Sequence, residues 1–149
     1  MIGRSETKMK YTKILFTAGA AILFAIALNA DEMVVVRDAQ GRVIGTETHS
    51  GNGTTIYRDV HGRTTGMEVP TGNIIYCRDA QGQTIGTKTV QGNQVYYRDA
   101  QGRITKTESI NGNVTTIRDP QGRIIGTKTR DASGTTLRDP QGRSLGTKH

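Results

Sequence analysis

The sequence has very few of the large side chains that fill an ordinary protein core. Of its 149 residues none is Trp, aromatic residues make up 5 %, and both phenylalanines, Phe16 and Phe24, fall in the first thirty positions. Gly is abundant at 19 residues while Pro contributes only 3, which fits neither collagen nor a proline-rich disordered chain. Frequent Gly and Thr also exclude a long helix or coiled coil, because both residues cost helix stability.

Residues suited to catalysis or metal binding are scarce as well. The single cysteine, Cys77, excludes a disulfide within the chain and stands in an apolar column of the repeat described below, so we interpret it as a small buried hydrophobe. His49, His61 and His149 show no metal-ligand spacing, and no nucleophile with a matching base stands out from its surroundings. We therefore predict no catalytic residue, no metal and no cofactor.

Residues 1–30 differ from the rest of the chain and are typical of a secretory signal peptide. An apolar run over 14–28 follows a positively charged segment with Lys8, Lys10 and Lys13. The run is shorter than the roughly 20 residues that span a bilayer, and the small Ala30 suits the cleavage position. We therefore expect an exported protein, located in a periplasm or outside the cell.

Cleavage after residue 30 would leave a mature chain that starts at Asp31, and cleavage after Ala27 is the second choice. An uncleaved leader that anchors the protein in a membrane is the alternative, and either Met1 or Met9 fits as the first residue. The full chain has a formal charge of +7, but residues 31–149 retain 16 of the basic and 12 of the acidic side chains, which gives +4. This charge is too small to favour nucleic acid as the partner.

The rest of the chain, residues 31–149, is one repeat of about twenty residues. Six units can be aligned on an Arg-Asp-x-x-Gly motif, which we call the head. The successive head aspartates are 21, 20, 20, 20 and 20 residues apart. They are Asp38, Asp59, Asp79, Asp99, Asp119 and Asp139.

Each unit contains two turn signals about ten residues apart. The head places Asp at the first position of a type I turn and Gly at the fourth, with Pro120 and Pro140 replacing Ala at the second. A Gly-Asn pair, or Ser133-Gly134 in the last unit, marks the second turn. Because an aspartate side chain can accept hydrogen bonds from the amides of its own turn, the repeated Asp is explained without calcium binding.

Short stretches rich in Val, Ile, Thr and Tyr between the turns predict β-strands. The residue before each head Arg is apolar in every unit, and it shares one face of its strand with the residue two positions earlier. The first of these columns is Val36, Tyr57, Cys77, Tyr97, Ile117 and Leu137. A further column, after the head, is apolar or Thr: Ile44, Thr65, Ile85, Thr105, Ile125 and Leu145.

These features predict an all-β protein built as an antiparallel hairpin repeat array. A flat meander, a spiralling sheet and a closed barrel are all compatible with the pattern. Sheets twist, and repeat units need only their neighbours for stability. We therefore favour an elongated twisted meander or spiralling sheet that curls enough to bury the Ile, Val, Tyr and Leu columns.

The Tyr-Arg-Asp-x-x-Gly-Arg heads at Tyr57 and Tyr97, with Gly-Asn midway between heads, resemble the YD repeats of RHS-type bacterial proteins. They are also similar to the hairpin repeats of MORN-variant proteins. The resemblance covers residues 33–149. It implies an exported hairpin array used for encapsulation, surface display or binding, and it implies no catalytic residue.

The function predicted from these residues is a non-enzymatic binding module that presents an extended β-surface to a protein or a cell-envelope polymer. The alternative is a binder of polyanions such as lipopolysaccharide, teichoic acid or nucleic acid, through a ladder of head arginines. An enzyme such as a wall hydrolase is a third, less favoured class. Contact with a membrane is expected only through an uncleaved leader. The candidate surface consists of Arg58, Arg78, Arg98, Arg118, Arg138, Tyr76 and Tyr96.

Overall fold

A computed structural model describes residues 31–149, so the predicted signal peptide over 1–30 lies outside the described residues. Twelve β-strands occupy this part of the chain. They are β1 Glu32–Asp38, β2 Val43–His49, β3 Thr55–Arg58, β4 Thr64–Thr71, β5 Ile74–Asp79, β6 Thr84–Gln91, β7 Gln94–Asp99, β8 Ile104–Asn111, β9 Val114–Arg118, β10 Ile124–Asp131, β11 Gly134–Arg138 and β12 Ser144–Lys148. The all-β, antiparallel hairpin character predicted from the repeat is confirmed.

The strands form a closed barrel in which each strand pairs with its neighbours in sequence and β12 pairs with β1. The prediction of an elongated, open array is therefore wrong. Val34 pairs with Glu47, Glu47 with Tyr57, Tyr57 with Gly66, and Gly66 with Asp79. The paired position therefore moves along the strands by roughly one residue from each strand to the next. Such a stagger tilts the strands and closes the sheet, and closure removes the unpaired edges that an open array would expose.

The junction between β12 and β1 repeats the register found between other units. Val36 pairs with Lys148 there, as Leu137 pairs with Lys128 between β11 and β10. Two backbone hydrogen bonds between Val35 and His149 extend the junction, at 2.9 and 3.2 Å. The last unit therefore meets the first as any two neighbouring units meet, except that no turn connects them.

Antiparallel hairpins place the two kinds of turn at opposite ends of the barrel. The six head turns lie at one end, which we call the head rim. The five Gly-Asn-type turns lie at the other end, together with Glu32 and His149, the first strand residue and the last residue of the chain. The two ends of the described residues, Asp31 and His149, therefore both lie away from the head rim.

The interior contains the column predicted to be buried, including Tyr57, Tyr97 and Ile117. A column of glycines faces inward on the even-numbered strands. A Cβ on Gly86 would lie 2.3 Å from the carbonyl oxygen of Arg98, and one on Gly45 would lie 2.4 Å from that of Arg58. At these two positions the close approach of the neighbouring backbone favours glycine over any residue with a Cβ.

The apolar column after the head does not lie in the core. Ile44 and Ile85 have 38 % and 56 % of their surface exposed. The register shifts at each head, for example between Val36 and Arg37, so that the residues just after the turn leave the regular inward alternation. Burial of this column, which the sequence favours, is therefore not found at these positions.

Candidate functional site

Each head forms the predicted turn, held by its own aspartate. At Asp99 the carbonyl oxygen accepts a hydrogen bond from Gly102 N at 3.0 Å, which closes a type I turn. Carboxylate Oδ1 accepts from the amides of Gln101 and Arg103 at 3.0 and 2.9 Å, and Oδ2 accepts from Arg103 Nε at 2.8 Å. The backbone hydrogen bond from Arg103 and the adjacent guanidinium hold the pKa of Asp99 below its usual value, so the carboxylate stays ionised.

The second arginine of each head neutralises the head aspartate. Five units have this ion pair, with the arginine Nε 2.6 to 2.9 Å from the carboxylate oxygen. The exception is the third unit, in which Gln83 replaces the arginine and only its backbone amide reaches Asp79. The paired arginines are Arg42, Arg63, Arg103, Arg123 and Arg143.

The first arginine of each head has different partners. Arg118 Nη1 and Arg138 Nη1 donate to the carbonyl oxygens of Gly122 and Gly142, and Arg58 Nη1 donates to Thr48 Oγ1 at 3.1 Å. Within residues 31–149 none of these first arginines makes an ion pair with a carboxylate. In the five heads with a second arginine, their positive charge is therefore not cancelled locally.

All seven residues of the predicted binding surface lie on the outside of the barrel, because they alternate with the buried column. The guanidinium of Arg98 lies 5.8 Å from the centre of the Tyr96 ring, so the structure brings these two predicted residues together. Tyr76 is the equivalent residue on β5, and it is separated from Tyr96 by β6. The five arginines are spread around the head rim, one in each of five units, and therefore do not form a compact patch.

Charge is divided unevenly between the two ends of the barrel. Eleven arginines and six aspartates belong to the heads. The opposite end carries one arginine, Arg130, and three acidic residues, Asp31, Glu32 and Asp131. The head rim is therefore clearly positive and the opposite end slightly negative.

The barrel interior holds a second feature that sequence reasoning missed, a buried charge belt. It consists of Glu47, Glu68, Lys88, Lys106, Glu108, Lys128 and Lys148. The belt connects neighbouring units: Lys88 Nζ lies 2.5 Å from Glu68, and Lys128 Nζ lies 2.9 Å from each carboxylate oxygen of Glu108. A twelve-stranded barrel is wider inside than an eight-stranded one, and here long charged side chains pair along its inner wall.

One ion pair of the belt crosses the junction between the last and first units. Lys148 Nζ lies 2.6 Å from Glu47 Oε1, with both side chains almost fully enclosed. The acid comes from β2 and the base from β12, so the pair forms only when the barrel is closed. The acid in the first unit and the base in the last unit are therefore complementary, and their pairing stabilises the closed barrel.

Buried tyrosines complete the belt in two of the three units that carry glutamate, and the first unit has Val36 with Glu47 instead. Tyr57 and Glu68 share a side-chain hydrogen bond, as do Tyr97 and Glu108. Burial, with the nearby carboxylates, raises the pKa of both phenols well above the usual value, so the hydroxyls remain donors. In the units with Lys88, Lys128 and Lys148, Cys, Ile and Leu occupy the position of the tyrosine. These side chains have no hydroxyl that would compete with the lysine for a carboxylate.

The fourth unit breaks the repeat inside the barrel. Lys106 occupies the glycine column, 3.1 Å from Glu108, and its Nζ lies 3.9 Å from the centre of the Tyr97 ring. Two lysines therefore share one carboxylate. Desolvation lowers the pKa of Lys106 and lowers that of Lys128 to about 8, while Glu108 keeps a lowered pKa despite burial because Lys128 and Lys106 lie beside it.

The belt has a signal in the sequence. Every unit has only Glu or Lys two residues after the glycine column, and Thr, Val, Ser, Met or His at the flanking positions. A strand with the pattern Thr-Lys-Thr is typical of a solvated face. The belt was missed for this reason: in the structure the flanking threonines face outward and the charged residues face inward.

No group of His, Cys, Asp and Glu side chains within residues 31–149 is arranged to hold a metal ion. The same part of the chain contains no helix that is long and apolar enough to cross a membrane. Desolvation raises the pKa of the Cys77 thiol to about 11, which keeps it protonated and a poor nucleophile. Comparisons with protein-family models, with curated proteins and with solved structures found no match to this chain.

Proposed function

We propose that this chain is an exported, non-enzymatic binding protein that presents its outer β-surface to an anionic cell-envelope polymer. The contact is made by the first arginines of the heads, including Arg58, Arg78, Arg98, Arg118 and Arg138. Lipopolysaccharide phosphates and teichoic acid have the chemistry that such a surface recognises. The observation that carries this proposal is the excess of arginine over aspartate at the head rim.

The ion pairs within the heads support this choice of ligand. Five of the six heads have two arginines and one aspartate, so one positive charge per head remains after the aspartate is neutralised. In these five heads the second arginine neutralises the aspartate, and the guanidinium of the first arginine remains for an external anion. The third head, with Arg78, Asp79 and Gln83, has no net charge. Guanidinium groups suit this role because their planar donors match the oxygens of phosphate and carboxylate.

A second candidate ligand is a protein that contacts the outer tyrosines. Tyr76 and Tyr96 are half-buried, face outward and have a polar end, which is typical of residues at protein interfaces. Binding of this kind would depend little on salt, whereas binding to a polyanion weakens steeply as salt rises because counterions are released.

The binding experiment uses the mature chain and a soluble polyanion, long-chain polyphosphate. We expect the dissociation constant to rise at least tenfold between 50 and 200 mM salt, and to rise at least tenfold in the combined variant Arg98→Gln, Arg118→Gln and Arg138→Gln. Arg130→Gln removes an arginine from the opposite end and should leave binding almost unchanged. Binding that ignores both salt and the rim variant would overturn the polyanion proposal and favour the protein ligand.

Export belongs to the same proposal and rests on the leader. Mass spectrometry of the protein recovered from outside the cytoplasm should show a chain that starts at Asp31. An intact leader recovered in the membrane fraction would instead establish the anchored alternative. The resemblance to YD and MORN-variant repeats agrees with an exported binding protein, although the closed barrel differs from an extended array.

A further inference from the structure

The head rim is rich in exposed aliphatic side chains as well as in arginine. Eight large apolar side chains are notably exposed within residues 31–149, with between 38 % and 66 % of their surface accessible. Six of the eight lie within six residues after a head aspartate, and only Met33 and Val114 lie towards the opposite end. The six are Val43, Ile44, Val60, Ile85, Ile104 and Ile124.

The tips of the turns differ between the two ends in the same way. The residue after the head aspartate is apolar and exposed in every unit: Ala39, Val60, Ala80, Ala100, Pro120 and Pro140. The tips of the opposite turns carry Gly, Asn, Ser, Thr, Gln and Asp, apart from one alanine, Ala132. Turn geometry alone does not require this, since the second position of a type I turn accepts most residues, polar ones included.

The exposed aliphatic side chains and the arginines occupy one surface. A soluble polymer of phosphates has no apolar surface that an isoleucine side chain could contact. Polyanion binding therefore accounts for the arginines and leaves the aliphatic residues unexplained. An anionic lipid surface matches both, because its phosphates attract arginine and the boundary below them accepts aliphatic side chains. Two head rims facing each other would bring like charges together, which argues against self-association through this end.

We propose that the head rim docks end-on against an anionic lipid surface, with the aliphatic side chains entering the headgroup layer and the first arginines contacting the phosphates. This inference deepens the proposed function, because the lipid phosphates become the anionic ligand. It also extends the expectation from the sequence, in which a membrane is contacted only through the leader. The polar opposite end, with Glu32 and His149, then faces away from the lipid.

The experiment measures binding of the mature chain to two kinds of vesicle. One is phosphatidylcholine alone, and the other contains about a third phosphatidylglycerol. We expect sedimentation with the anionic vesicles at least tenfold stronger than with the neutral ones. The test variant is Ile85→Thr with Ile104→Thr and Ile124→Thr. Threonine already occupies the equivalent positions in other units, at Thr65, Thr105, Thr64 and Thr84, so this variant should fold.

The matched control is Met33→Thr with Val114→Thr, which removes exposed apolar side chains from the opposite end. Threonine also occurs in this column, at Thr54. We expect the rim variant to bind anionic vesicles at least fivefold more weakly and the control to bind them as the unmodified chain does. Binding of both variants to soluble polyphosphate should be unchanged.

The outcomes separate this inference from the proposed function. If polyphosphate binds through the arginines but the rim variant binds anionic vesicles normally, lipid docking is wrong and polyanion binding remains. If the rim variant and the control lose vesicle binding equally, the contact is unspecific and lipid docking is again wrong. If neither polyphosphate nor anionic vesicles bind, both proposals fail.

Discussion

The inside and the outside of this barrel use different cations. All four lysines of residues 31–149 belong to the buried charge belt, and all twelve arginines lie on the outer strand faces or at the turns. A lysine carries one compact charge on a flexible stem, so a single carboxylate and a tyrosine ring suffice to accommodate it. A guanidinium has five donors, which water, carbonyl oxygens and turn aspartates supply more readily at the surface. The position of a charge, rather than its sign, decides how much the fold depends on it.

The largest expected effect comes from removing a carboxylate inside the barrel. Glu108→Gln takes away the anion that Lys106 and Lys128 share, and loss of one partner from a buried ion pair costs about 3 to 5 kcal/mol of the free energy of unfolding. Urea denaturation monitored by circular dichroism measures this loss. Glu32→Gln makes the same chemical change on the outside and should leave the denaturation midpoint nearly unchanged. Equal midpoints for the two variants would contradict the difference between inside and outside.

A smaller but still large effect is expected from adding one carbon to the inner face. Gly86→Ala places a Cβ against the carbonyl oxygen of Arg98, and the backbone must shift to make room. We expect a loss of about 2 to 3 kcal/mol in the same denaturation experiment. Thr87→Ala changes the next residue, which faces outward, and should cost much less.

The alkaline pH dependence of stability should come from the interior, because arginine does not titrate in this range. The pKa of Lys128 is lowered to about 8 in the folded chain, so between pH 8 and 10 the unfolded chain binds more protons and stability rises with pH. The rise should be about 2 kcal/mol, as measured by urea denaturation at each pH. Most of it should disappear in Lys128→Met, and the lowered pKa of Lys106 accounts for the remainder.

One thiol and two phenols act in the opposite direction, and they determine the conditions of the experiment. Burial raises the pKa of Cys77 to about 11, so its thiol ionises first in the unfolded chain and lowers stability above pH 9. The experiment is therefore done in a Cys77→Ala background. Above pH 10 the raised pKa values of Tyr57 and Tyr97 should make stability fall again. A flat profile between pH 8 and 10 in this background would show that Lys128 is not desolvated as described.

The smallest effects are expected on the outside, at the head turns. Gly102 has a φ of +80°, a conformation that disfavours a Cβ, so Gly102→Ala should destabilise the chain by about 1 kcal/mol. Ala100→Pro should be neutral or slightly stabilising, since Pro120 and Pro140 occupy the equivalent position and proline restricts the unfolded chain. Thermal denaturation of both variants measures the two shifts. Shifts of the same sign would mean that the backbone of this turn is not as described.

The local structure could be predicted from the sequence because its causes are local. Asp-x-x-Gly and Gly-Asn fix the turns, and the alternation around Tyr57 and Tyr97 fixes which face is buried. The outward position of Tyr76, Tyr96 and the head arginines follows from the same alternation.

Closure of the barrel could not be predicted in this way, because no local pattern records that the sixth unit meets the first. The strands after the heads also depart from the rule that apolar residues are buried and charged residues are exposed, since Lys88 faces inward while Ile85 is exposed. The one clue is the acid Glu47 in the first unit and the base Lys148 in the last, and it gains meaning only once the two strands are adjacent. A prediction that assigns only apolar residues to the interior is therefore wrong for a wide barrel whose inner face carries charged side chains.

The register at the junction of β1 and β12 has a consequence for the chain as a whole. Because that junction matches the other five in pairing and lacks only the connecting turn, the polypeptide is in effect a circle of six hairpins cut at one point. A three-residue linker from His149 to Glu32 would give this junction the eight residues that separate Lys128 from Leu137, and any of the five existing turns would then serve as the new cut. The order of the units along the chain is thus one of six circular permutations of a single ring.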